Sequence, residues 1–261
     1  MHVLALKLAL VAASVLGASL VSRRWGHAAG GLMAGLPMII GPITAILLID
    51  NPADRVRAIA LATLQCQPAM LMHVLVFARA ARRWSWPPCL LAANAVYLVA
   101  AAALAAWALP PLAAAALALG AWWFTGRAIA ADAAGPRRHS GPVSVPRSEL
   151  WWRLAVALAV AGAVIEAAAS APAAVGGVLL AAPITGNVLP AFTLPRHGPG
   201  ATARLLAGFV HGQIGFMAFV AGLVAWLPLL HPALAFTLAV AGAVAAPWLL
   251  DRLQRRARQQ G

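Results

Sequence analysis

Charged residues are scarce in this chain, and acidic ones are almost missing. Of its 261 residues only 10% are charged, only 6 are Asp or Glu, and 63% are hydrophobic. An average soluble domain carries about 25% charged residues, so the composition excludes an ordinary soluble fold. Apolar stretches of about 20 residues recur along the whole sequence, which predicts an all-α, polytopic membrane protein.

Cysteines and catalytic motifs are equally sparse. The two cysteines, Cys66 and Cys89, form no CxxC pair, and we interpret both as small apolar fillers. The sequence contains no P-loop, no HExxH and no GxSxG, and its seven histidines lack metal-ligand spacing. No acidic pair suits a magnesium–diphosphate enzyme. We therefore expect no catalytic residue, no metal site, no cofactor and no enzymatic activity.

The net charge of +13 comes from 18 arginines and one lysine. These residues flank apolar stretches, so they indicate a membrane rather than nucleic acid as the partner. Nine spans are predicted, at 2–21, 27–49, 55–78, 88–108, 110–130, 150–170, 173–194, 203–228 and 231–250. Sixteen basic residues then fall on one face and only Lys7, Arg55 and Arg57 on the other. The positive-inside rule places the N-terminus outside and the C-terminus in the cytoplasm.

The predicted organisation has three parts. Residues 1–131 hold four spans and a connector span, 132–149 form a polar cytoplasmic linker, and 150–261 hold four spans and a basic tail. The first span has the length and small residues of a secretory signal peptide. "SRRW" follows it as a cytoplasmic flank, so we interpret it as a retained span.

Two segments of similar sequence suggest an internal repeat. "GGLMAGLP" (30–37) and "GGVLLAAP" (176–183) are offset by 146 residues, and the same offset sets Gln67 on Gln213 and Gln65 on His211. An odd number of spans separates each element from its copy. The copies therefore point in opposite directions, as a 4+1+4 inverted repeat typical of secondary transporters. Chance alignment of Ala- and Gly-rich helices is the alternative.

Glycine and proline recur at the centres of two spans. We predict helix breaks from Gly35, Pro37, Gly41, Pro42, Pro183 and Gly186. Proline removes a backbone donor, and a broken helix is tolerated in lipid only where protein or a cavity covers it. Such breaks supply backbone groups to substrates in transporters. Close helix packing or a simple kink is the alternative interpretation.

Polar side chains lie at the same predicted depth. We expect Gln65, Gln67, Asn187, His211 and Gln213 to bind a substrate, with Thr185 and Thr44 also facing the bundle interior. His73 and Asn94 are weaker candidates. Hydrogen bonding between helices is the alternative for each residue. Glu166 and His211 are candidates for proton coupling, although Glu166 could equally snorkel to the outer surface.

The order of "RRWGHAAGGLMAGLPMIIGPITAILL", "VFARAARRWSWPPCLL" and "GFVHGQIGFMAF" resembles a family of uncharacterised bacterial inner-membrane proteins. The resemblance spans most of the chain. It implies a multipass fold in a bacterial inner membrane, with no assigned substrate and no functional residues.

Three functions are consistent with these features. The first is a small secondary transporter that moves a small polar or amphiphilic solute by alternating access. The second is a non-transporting partner or assembly component of an envelope pathway. The third, least supported, is a lipid-modifying enzyme. A large wet central cavity would favour transport, and a dry packed bundle would favour the second. Membrane lipid and an unknown solute are the expected partners, nucleic acid is not, and a homodimer is left open.

Overall fold

The computed structural model describes residues 2–133, 147–170 and 172–259, and this part of the chain is helical without any strand. The helices are α1 (His2–Trp25), α2 (His27–Gly35), α3 (Ile40–Asp50), α4 (Ala53–Gln65), α5 (Gln67–Ala80), α6 (Trp86–Ala105), α7 (Pro111–Ala133), α8 (Arg147–Ser170), α9 (Ala173–Leu180), α10 (Ile184–Trp226) and α11 (Pro232–Gln259). The predicted linker at 132–149 overlaps the ends of α7 and α8, and 134–146 lie outside the described residues.

About six helical segments are long and apolar enough to cross a membrane. They are His27–Asp50, Ala53–Ala80, Trp86–Ala105, Pro111–Ala130, Ala174–Trp226 and Pro232–Leu253. The number, length and apolar composition of these helices are those of a multipass membrane protein, as predicted.

Large apolar side chains cover the outside of the helices. In α6, Leu91 is 74% exposed and Val99 is 73% exposed, although both lie well inside the helix. A soluble helix turns such residues inward, whereas a membrane helix turns them toward lipid. The exposed faces therefore match a lipid environment.

Two membrane segments are interrupted near their middle, as predicted. Between α2 and α3 the chain leaves the helix at residues 36–39, which include Pro37. Between α9 and α10 it does so at residues 181–183, and Pro183 immediately precedes α10. Proline cannot donate the backbone hydrogen bond that would continue the first helix, so each helix ends before it.

Four of the predicted break residues lie inside helices instead. Gly35 is the last residue of α2, Gly41 and Pro42 belong to the first turn of α3, and Gly186 belongs to the first turn of α10. Proline is tolerated in a first helical turn because the backbone donors there have no helical partner. Gly35, Gly41, Pro42 and Gly186 therefore flank the interruptions, within the adjoining helix turns.

The two breaks share the same backbone hydrogen bonds at an offset of 146 residues. Leu36 N–H donates to Met33 O (3.3 Å), and Ala182 N–H donates to Leu179 O (3.1 Å). Gly41 N–H donates to Pro37 O, and Asn187 N–H donates to Pro183 O, both at 2.8 Å. The chain thus leaves and re-enters a helix in the same way in both halves.

Helix α10 lies at the centre of the bundle and crosses α2 at very close range. Gly31 and Gly35 on α2 form one GxxxG motif, and Gly208 and Gly212 on α10 form another. A β-carbon added at Gly208 would lie 1.9 Å from the Ala28 carbonyl oxygen. Only glycine permits this approach of two backbones, which is the usual role of GxxxG in membrane helices.

Helix α9 packs on α4 in a corresponding way. A β-carbon added at Gly177 would lie 2.9 Å from Thr63 N, and one added at Gly31 would lie 2.9 Å from Phe209 N. These two pairs of residues are related by the 146-residue offset. Each half of the chain therefore places its first broken helix against the other half.

Candidate functional site

A small cavity lies between the two helix breaks. Its volume is about 50 Å³. Its lining residues are Ala34, Leu36, Ile39, Ile40, Ile43, Met70, Leu179, Leu180, Ala181, Ala182, Ile184, Thr185, Phe209, Gln213 and Phe216. Backbone from both interruptions contributes to the wall, so the prediction that the two breaks approach each other matches the geometry.

The lining contains corresponding residues from both halves. Leu36 and Ala182 are related by the 146-residue offset, as are Met70 and Phe216. Ile39 in the first half corresponds to Thr185 in the second. The cavity therefore lies where the two halves meet, and its walls are not chemically identical.

Two polar side chains line this cavity, Gln213 and Thr185, and both come from α10. The Thr185 hydroxyl donates to Ala34 O at 3.4 Å. Gln213 is only 2% exposed, and its Oε1 has no hydrogen-bond partner among the described residues. A buried amide oxygen without a partner is rare and costs about 1–3 kcal/mol of stability, so this atom marks a place for a donor.

Gln67 corresponds to Gln213 but does not line the cavity. It is 1% exposed, and its Oε1 also has no partner among the described residues. Met70, which does line the cavity, lies one helical turn further along α5. Gln67 is therefore buried near the cavity lining without belonging to it.

Gln65 binds the protein itself. Its amide Nε2 donates to the carbonyl oxygens of Leu104 and Trp107, at the end of α6. The Gln65 amide therefore contacts the end of α6 instead of the cavity, where Leu104 O and Trp107 O also accept the backbone N–H groups of Trp107 and Leu109. Substrate binding by Gln65 stays a prediction.

His211 also lies away from the cavity. Its Nε2 is 3.1 Å from Asp251 Oδ1, and its side chain is 24% exposed. The structure thus places His211 against Asp251 of α11, and its role as a substrate ligand stays a prediction. His211 as a proton carrier stays a prediction. The other candidate, Glu166, has a side chain outside the described part of the structure.

Asn187 belongs to a polar cluster with His73 and Asn94. His73 Nε2 lies 2.8 Å from Asn187 Oδ1, and the amides of Asn94 and Asn187 exchange hydrogen bonds of 2.9 and 3.0 Å. The Asn187 amide is satisfied by two other helices and does not line the cavity, and substrate binding by Asn187 stays a prediction. The cluster joins α5, α6 and α10 at membrane depth.

The corresponding place in the other half is an apolar groove. Gly41, Phe219 and Val240 stand at the positions equivalent to Asn187, His73 and Asn94, and all three line a groove of about 490 Å³. The two halves thus repeat the backbone but differ in side-chain chemistry: one holds a hydrogen-bonded cluster, and the other leaves space.

Several residues of the site could not be identified from the sequence. Met70, Phe209 and Phe216 line the cavity, yet nothing separates them from the other apolar residues of their spans. The two GxxxG motifs did carry a signal for the α2–α10 crossing that frames the site.

Comparison with known proteins adds no relative: no family model, no curated protein and no solved structure matches the chain. The resemblance to bacterial inner-membrane proteins therefore stays a prediction.

Proposed function

We propose that this protein is a small secondary transporter of a bacterial inner membrane. In this proposal the chain crosses nine times as an inverted 4+1+4 repeat, and a small solute passes through the cavity between the helix breaks. One observation carries the proposal: two broken helices with the same backbone hydrogen bonds meet at a cavity lined by Gln213, whose buried amide oxygen has no partner among the described residues.

Nine crossings result when α1 and α8 are added to the six apolar segments and Ala174–Trp226 is divided into two crossings. Helices α1 and α8 each have 24 residues, which span about 36 Å at ~1.5 Å per residue. Helix α10 has 43 residues, too many for one crossing, and Gly198 with φ 75° interrupts it. Pro199 follows, so the chain can reverse direction there.

The inverted relation rests on the number of crossings between equivalent elements. Five proposed crossings separate the start of α1 from the start of α8, and an odd number reverses direction. Equivalent helices begin at equivalent places: α2 and α9 at His27 and Ala173, and α6 and α11 at Trp86 and Pro232. Each pair is separated by 146 residues, which supports a repeat.

Arginine–tryptophan pairs support the proposed orientation. The guanidinium carbons of Arg127 and Arg252 lie 4.5 and 3.6 Å from the ring centroids of Trp123 and Trp248. Tryptophan is enriched at the membrane–water interface, and arginine at the cytoplasmic side of it. Arg127 and Arg252 lie near the C-terminal ends of the apolar segments Pro111–Ala130 and Pro232–Leu253, which the charge pattern assigns to the cytoplasm.

The size of the cavity favours a second candidate, a non-transporting membrane component. A volume of about 50 Å³ holds no more than a few water molecules, and most of the lining is apolar. A transporter explains the same volume as a closed state between two open ones. The two functions therefore differ in whether water ever reaches the breaks.

Hydrogen exchange in lipid nanodiscs distinguishes these functions. In a transporter, the backbone amides of Leu36, Met38, Ala182 and Ile184 exchange faster than amides in the middle of α6, because opening exposes the breaks to water. Protection at the breaks equal to that in α6 would refute transport and favour a packed component.

A further inference from the structure

The chemistry of the central cavity indicates a class of solute. We infer that the cavity selects a neutral molecule that carries a hydrogen-bond donor, such as a primary amide or hydroxyl, over an anion or cation of similar shape. This inference rests on the proposed function, because it names the kind of solute that the same cavity would pass.

Each polar side chain that lines the cavity carries an oxygen acceptor, and the Gln213 amide also carries N–H donors. Gln213 Oε1 is buried and has no donor among the described residues. The Thr185 hydroxyl uses its hydrogen to bind Ala34 O, so its oxygen is left with lone pairs. A molecule between them gains hydrogen bonds by donating, whereas an anion would bring further acceptors toward these oxygens.

Charge is also excluded by the rest of the wall. The lining residues other than Gln213 and Thr185 are apolar, and none of the lining residues is charged. A cation in this place would lose its hydration and meet no carboxylate, which is strongly unfavourable in a membrane interior. A neutral donor loses much less hydration free energy, and a hydrogen bond to the Gln213 amide oxygen replaces its lost bond to water.

The second half of the chain supplies both polar lining groups, and the other lining residues are apolar. Thr185 is matched by Ile39, and both are lining residues. A solute with a donor at one end and an apolar group at the other therefore fits better than one that is polar all round.

Four compounds of nearly the same shape test the inference: acetamide, acetone, acetate and acetamidinium. Acetamide is neutral with an N–H donor, acetone is neutral without one, and the other two are charged. The Tm of the purified protein in detergent is measured with each compound. Osmotic swelling of proteoliposomes measures the rate at which each compound enters. We expect acetamide to raise the Tm more than the other three and to enter proteoliposomes faster than protein-free liposomes.

Isosteric variants locate the binding. In Gln213→Met the apparent affinity for acetamide should fall about tenfold, the loss of one good hydrogen bond. Gln65→Met is the matched control, because its amide bonds to Leu104 and Trp107 outside the cavity. This control should keep the response to acetamide even if its basal Tm falls. Gln213→Glu supplies a carboxylate and should shift the preference toward acetamidinium.

The outcomes separate the solute class from transport. Binding of acetamide that depends on Gln213 but gives no swelling supports the solute class and refutes transport. Swelling driven by acetate or acetamidinium, but not by acetamide, supports transport and overturns the solute class. An equal response of Gln213→Met and wild type to acetamide, or no response to any compound in either assay, also overturns the inference.

Discussion

Gln67 and Gln213 stand 146 residues apart, and in both the amide oxygen is buried without a hydrogen bond among the described residues. Their environments differ, since Gln213 lines the central cavity and Gln67 does not. A buried amide is destabilising where it lacks partners and stabilising where it has them. Neighbouring glutamines in this chain should therefore respond differently to the same substitution.

Replacing Gln67 by methionine should leave the free energy of unfolding unchanged or raise it, because the substitution removes a buried acceptor that has no partner among the described residues. Gln65→Met should lower it by about 1–3 kcal/mol, because two hydrogen bonds from the Gln65 amide to Leu104 O and Trp107 O are lost, although each carbonyl keeps a backbone donor. Unfolding of both variants in mixed micelles measures the difference. A larger loss from Gln67→Met than from Gln65→Met would contradict the assigned contacts.

The crossing of α2 and α10 gives a second prediction. A β-carbon at Gly212 would lie 2.3 Å from the Leu32 carbonyl oxygen, so Gly212→Ala should lower the free energy of unfolding by about 1–3 kcal/mol or more. Gly120→Ala on α7 is the control, because a β-carbon there meets nothing within 4 Å. Thermal melting should show a loss for Gly212→Ala and a small gain for Gly120→Ala. Equal behaviour would disprove the close crossing.

The sequence predicts the features of this fold that depend on a residue's own backbone, but not the contacts between helices distant in sequence. Pro37 and Pro183 act through their own backbone, so the breaks could be located from sequence alone. The partners of Gln65 and Asn187 could not, because they are set by how helices distant in sequence rotate against each other. A polar residue in a span predicts that a partner exists, not which one it is.

The polar cluster around Asn187 gives a third prediction. Asn187→Leu removes the partners of Asn94 Oδ1 and His73 Nε2, while Asn94 Nδ2 keeps its bond to Leu90 O, and should lower the free energy of unfolding by about 1–3 kcal/mol. The loss should shrink in a His73→Phe, Asn94→Leu background, because the unpaired groups are then gone. A double-mutant cycle measures this coupling. Additive losses would show that the three residues act independently.

Ser85 and His231 test the inverted relation directly. Both are exposed residues just before a helix, α6 and α11, and they are separated by 146 residues. In a chain without Cys66 and Cys89, a cysteine at 85 should react with an impermeant maleimide only from the cytoplasm, and one at 231 only from outside. Reaction of both from the same face would show a parallel repeat or another span count.

The central claim is that the cavity between the helix breaks opens in turn to both faces of the membrane. Thr185→Cys in the same cysteine-free background places a thiol in its wall. Thr193→Cys is the matched control, since Thr193 is 1% exposed, also on α10, and away from the cavity. We predict that impermeant maleimide labels residue 185 in both right-side-out and inside-out vesicles while residue 193 stays unlabelled. Labelling of residue 185 from one face only, or from neither, would contradict alternating access.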